Sequence, residues 1–102
     1  MVSKVSEITA EDVANYIRVD DYEFGEIDTY LNVAKNYISN YTGIPVESDE
    51  EDAETLDSFA DFIIVVYVLC QDMYDNRTMY VEGGNINKVV QTILDMHTRN
   101  NL

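Results

Sequence analysis

Tryptophan is missing from this 102-residue chain, and cysteine, proline and histidine occur once each. A lone cysteine forms no internal disulfide, so reducing, intracellular conditions are expected. Positive charge is scarce: six Lys and Arg stand against 20 Asp and Glu, a formal charge of −14. Those six (Lys4, Arg18, Lys35, Arg77, Lys88, Arg99) are scattered singly along the chain. Without a clustered basic face, neither sequence-specific DNA binding nor attachment to an anionic membrane is expected. The longest unbroken apolar run, Phe62 to Cys70, is nine residues, against the ~20 needed to cross a bilayer. No basic, then apolar, then small-residue order opens the chain, so no secretory signal is expected. The apolar share is nevertheless 46%, with eight Tyr among it, which is too high for a disordered acidic chain. These figures point to one soluble, acidic, cytosolic domain over residues 1–102, whose size hides only about 60–65% of its unfolded surface.

Catalytic and ligating constellations are equally sparse. Cys70 lies inside the most apolar run, where a thiol is inert. His97 has no second histidine to share a metal. If Gly25 filled the sixth position of a calcium loop, Asp20 would be first, but Tyr22 and Phe24 would stand third and fifth. Leu31 would then replace the carboxylate required at position twelve. Gly83-Gly84 lacks the lysine of a phosphate-binding loop. An enzyme, a cofactor and a bound metal are therefore not expected.

What the chain does contain is helical periodicity. Thr9-Ala10-Glu11-Asp12 reads as a helix start, with Val13, Tyr16 and Ile17 at helical spacing behind it. Ile27, Leu31, Ala34, Ile38 and Tyr41 step by four, three, four and three, one stripe of an amphipathic helix that Tyr30 and Tyr37 widen. Gly43 and Pro45 stop that helix. From Val46 to Asp57 the chain is acidic (Glu47, Asp49, Glu50, Glu51, Asp52, Glu54 and Asp57) and reads as an exposed loop. No Lys or Arg interrupts the chain between Lys35 and Arg77. A third helix is expected from about Leu56 to Asn76. Its β-branched centre resembles a buried strand, but the flanks extend the same rows at three and four spacing. Phe59, Ile63, Val66, Cys70, Met73 and Tyr74 are expected to share one face, with apolar residues nearly all round the helix. Gly83-Gly84-Asn85 reads as a turn, Asn85 or Asn87 as a cap, and Ile86, Val89, Val90, Ile93, Leu94 and His97 as the apolar side of a last helix. Thr78 to Val81 reads as extended. The expected fold class is all-α: a small bundle of about four helices with a long acidic loop between the second and third.

This ordered pattern resembles the head–tail connector (head-completion or adaptor) proteins of tailed bacteriophages. The opening Ile8 to Val19, the second helix Leu31 to Ile38 with its close Tyr41-Thr42-Gly43-Ile44-Pro45, the apolar helix ending Asp72 to Arg77, and the last helix with Ile93, Leu94, His97 and Arg99 carry the likeness. Its most specific element is Tyr74-Asp75-Asn76-Arg77. The resemblance implies a non-enzymatic virion subunit, present in the host cytoplasm during assembly. Copies would form a ring beneath the portal, of matching symmetry, joining head to tail or stopper protein and extending the channel through which DNA passes. Tyr74, Asn76, Arg77 and Asp72 are expected to maintain that helix end, with Arg77 paired to Asp72 or Asp75. The acidic loop is a candidate for the lumen or for a partner. A negative lumen would repel phosphate and let the duplex slide. The competing reading from charge alone is a DNA mimic that blocks a nucleic-acid-binding enzyme. Against it, ten of the 20 acids crowd between Glu47 and Asp75 rather than spreading over a face.

Overall fold

A computed structural model describes residues 4–19, 21, 23–49, 54–76 and 87–98. Four α-helices are present among these residues: α1 (Ala10–Ile17), α2 (Phe24–Thr42), α3 (Asp61–Asn76) and α4 (Lys88–His97). Two 3-10 turns, Val5–Glu7 and Leu56–Ser58, complete the described elements, and none of these residues forms a strand. The all-α expectation holds.

The helix ends follow from local chemistry. Thr9 accepts from the Asp12 amide at 3.2 Å, and the Asp12 carboxylate accepts in return from the Thr9 amide at 2.9 Å. This reciprocal pair satisfies two amides that α1 leaves without partners. Gly43 closes α2 in the left-handed region (φ 80), its amide donating to the Ser39 carbonyl at 2.8 Å. Thr42 is fully buried, yet its hydroxyl donates to the Ile38 carbonyl and accepts from the Ile44 amide. No buried side-chain polar atom among the described residues lacks a partner. On α4, Asn87 is the cap, accepting from the Val89 amide at 2.7 Å.

The third helix departs from expectation at its start. Rather than running from Leu56, the chain makes the 3-10 turn Leu56–Ser58, extends through Phe59 (φ −129, ψ 109), and begins α3 at Asp61. Thr55 accepts from the Asp57 amide while the Ser58 hydroxyl accepts from the Thr55 amide. Such short polar side chains compete with helix for the backbone and hold it in a turn. Phe59 therefore sits ahead of the helix instead of on its face, its ring edge-on to Phe62 at 5.6 Å.

The core is the seam between α2 and α3. Ile27, Tyr30, Leu31, Ala34 and Ile38 meet Phe62, Val65, Val66, Leu69 and Met73, all 3% exposed or less. Burying each of the larger of these side chains stabilises by about 1.5–3 kcal/mol. Tyr30 near the start of α2 meets Tyr74 near the end of α3, so these helices run antiparallel. His97 at the end of α4 meets Asp61 at the start of α3, and the Tyr41 hydroxyl donates to Asp95 at 2.6 Å. Helix α4 thus runs against α3 and alongside α2. None of the described helices is long and apolar enough to cross a membrane. The expected Gly83 turn, the extended Thr78 to Val81 and the apolar Ile86 lie outside the described residues.

Candidate functional site

The acidic segment is a strap anchored at two points. Ile44 and Leu56 are buried, and the Leu56 amide donates to the Pro45 carbonyl at 3.1 Å. The two ends of the acidic segment are thereby drawn together. Glu47, Asp49 and Glu54 are exposed on it; Glu50, Glu51 and Asp52 lie outside the described residues. Asp57 behaves differently from its neighbours. It is half-buried and accepts from the Ser6 amide at 2.7 Å, tying the second 3-10 turn to the first. Its carboxylate holds the chain's opening segment to the strap. Nothing in the linear spacing distinguishes Asp57 from the other six acids except its place after the apolar Leu56.

A groove of about 560 Å³ opens between the first 3-10 turn, α2 and the strap. Lys35 and Asn32 line it from α2, and Glu47 and Asp57 from the opposite side. Acids facing a single lysine make a mixed field, not an anion cradle. No group of three His, Cys, Asp or Glu among the described residues is arranged to hold a metal ion.

At the end of α3, the Asn76 amide group donates to the Asp72 carbonyl at 2.9 Å and to its carboxylate at 3.2 Å. Of the four residues expected to maintain this helix end, Asp72 and Asn76 are thus bonded to each other, and Tyr74 is half-buried against Tyr30. Arg77 and its expected pairing lie outside the described residues, as does Arg99.

The two remaining reactive side chains are both packed. Cys70 is fully buried, and burial pushes its thiol from 9.0 up to about 12, the Lys35 charge opposing. His97 Nε2 lies 3.1 Å from Asp61 Oδ2, and its ring rests 4.5 Å from Phe59 and 5.0 Å from Phe62. That arrangement pins α4 to the head of α3. Sequence reading placed His97 on the apolar side but missed its carboxylate, because Asp61 joins it only through tertiary packing.

Comparison with protein-family models, with curated proteins and with solved structures finds no match to this chain.

Proposed function

We propose that this chain is a structural subunit of a tailed-bacteriophage head–tail connector. Copies form a ring below the portal, bind the tail or stopper protein on the far side, and extend the channel for DNA. The resemblance in the order and ends of the helices supplies the identity of the assembly. The observation that carries assembly itself is exposed apolar surface at both ends of a bundle whose interior is already filled. Phe24 opens α2 at 66% exposure, and Met96, at the other end beside the Tyr41–Asp95 contact, is 67% exposed. A ring subunit meets different neighbours on different sides, and heterologous contacts of this kind need unlike patches. Methionine and aromatic residues are enriched where proteins meet. The formal charge of −14 fits a wall that DNA passes without adhering,.

The test is to mix purified chain with portal and with complete, tailless heads, and to image the products by negative-stain microscopy. Closed rings seated on the portal are the expected result. A chain that stays monomeric beside its own portal, together with virions that join tails without it, overturns the reading.

A further inference from the structure

Helix α3 has a side that is neither core nor uniformly polar. Asp61, Ile64, Val68, Asp72 and Asp75 step by three, four, four and three, placing them on one stripe opposite the buried Val66 and Cys70,. Ile64 on that stripe is 41% exposed, Val68 is half-buried, and the three aspartates are exposed. Tyr67 borders it one turn beyond Ile64. From α1, Tyr16 lays its ring flat on Tyr67, with centroids 4.9 Å apart and planes within 10°. Tyr16 is itself 38% exposed, so the stack presents an aromatic edge to solvent beside Ile64. Burial first, and then the charge of Asp12, raise the Tyr67 phenol above its ordinary 10.0, so a fourth carboxylate stands close to this stack.

Neither α1 (Ala10–Ile17) nor α3 (Asp61–Asn76) contains a Lys or Arg. The face therefore joins an apolar, aromatic centre to a rim of carboxylates; the basic groups beside it are Arg18, at the cap of α1, and His97 of α4, which already meets Asp61. Charge complementarity chooses its occupant. Two copies pressed together here would set Asp72 and Asp75 against acids of the same kind, which costs free energy at short range. A cationic helix gains on both counts: its apolar residues cover Ile64 and the tyrosine stack, and its Lys or Arg meet the rim. Guanidinium groups also favour aromatic faces. We propose that the α1–α3 face docks a basic amphipathic helix of another protein, with Tyr16, Tyr67 and Ile64 as the apolar contact and Asp72 and Asp75 as the charged rim, Asp61 being already engaged by His97. This goes beyond the connector reading and holds whether or not the chain forms rings.

The probe is a synthetic Lys/Leu amphipathic peptide of about 15 residues, near the length at which a helix becomes marginal in water. Two controls accompany it: the same residues shuffled to destroy the apolar stripe, and the same pattern with Glu in place of Lys. Calorimetric titration is expected to show binding of the first peptide that weakens as salt rises. The shuffled peptide, Ile64→Lys and Asp75→Lys are each expected to weaken it roughly ten-fold or more. At saturation, the tyrosine ring signals of Tyr16 and Tyr67 shift in NMR spectra. Asp75→Lys lies in the last turn of α3, where positive charge suits the helix dipole, so that variant keeps the fold; circular dichroism checks both. Equal binding of the shuffled peptide overturns the proposal, because bulk charge alone then suffices. So do unchanged affinities in both variants, unmoved tyrosine signals, or self-association of the chain that Ile64→Lys abolishes.

Discussion

The α2–α3 seam and the strap that joins those helices are held by opposite means. Along the seam, each turn of each helix contributes a buried side chain, so stability is spread over area. Among the described residues between 43 and 60 the chain is held at separate points: Ile44 and Leu56 as plugs, an amide–carbonyl bond between Leu56 and Pro45, and the Asp57 carboxylate on Ser6. Area tolerates no local failure without global cost, whereas a point attachment opens locally. The exposed acids Glu47, Asp49 and Glu54 lie on the point-attached segment, and the core lies on the seam.

The largest expected effect is in the seam. Phe62→Ala empties a fully buried ring site and is expected to cost about 3–5 kcal/mol,. Urea unfolding followed by far-ultraviolet dichroism measures this, and a loss under about 1 kcal/mol would show that the seam is not the stabilising element. Leu56→Ala comes next, at about 2–4 kcal/mol, but with a different signature. Limited proteolysis is expected to cut within residues 46–55 well before the helical signal falls. Simultaneous loss of both would erase the distinction between area and point attachment.

The same contrast explains what was legible in the sequence. The stripe Ile27, Leu31, Ala34, Ile38 repeats often enough to fix α2, and Gly43 with Pro45 fixes its end, because a left-handed residue is written into a single glycine. Thr9 likewise announces α1. The break ahead of α3 was hidden, since Thr55 and Ser58 act through three-residue hydrogen bonds that leave the apolar rows unchanged. Asp57, the His97–Asp61 pair and the Tyr16–Tyr67 stack were also illegible. Each joins residues far apart in the chain, and no periodicity records which helix faces which. Candidate acids were visible in number, but not which of them the fold consumes.

Chemical reactivity sharpens the comparison from the seam's side. Cys70 faces this buried layer, and its thiol is pushed up to about 12. Its folded value is raised, so the stability gained by burying the neutral thiol is complete below pH 9.0 and is lost as pH climbs towards 12,. Tyr37, raised by burial, and Tyr41, raised first by its bond to Asp95, act in the same direction from 10.0. Denaturant midpoints are therefore expected to fall steadily above pH 9.0, and a thiol reagent at neutral pH to label Cys70 only on unfolding,. Rapid labelling of folded protein would mean that the seam opens as readily as the strap.

On the strap, Asp57→Ala removes the acceptor for the Ser6 amide. The bond is solvent-exposed, so the expected cost is only about 1 kcal/mol,. Glu47→Ala, made as the control on an exposed neighbour, is expected to be silent, and hydrogen exchange at Ser6 is expected to rise in the first variant alone. Equal effects would return Asp57 to the class of ordinary surface acids.

The smallest effect concerns two helix ends that share a conformation but not a residue. Gly43 closes α2 at φ 80, and Arg18 closes α1 at φ 69, ψ 45, its amide donating to the Ala14 and Asn15 carbonyls. Val19 donates to Ala14 at 3.0 Å, completing the cap. A side chain in this region crowds its own carbonyl at a cost of roughly 1–2 kcal/mol, which glycine avoids. Glycine also widens the unfolded ensemble, which offsets part of the gain by about 0.4–1 kcal/mol. Arg18→Gly is thus expected to stabilise by about 0.5–1 kcal/mol, read as a higher denaturant midpoint at unchanged slope. Because it also removes one of only six cations from a chain at −14, the measurement belongs at high salt, where added repulsion is screened. A midpoint that still falls there would show that the Arg18 side chain, and not its backbone conformation, is what holds the end of α1.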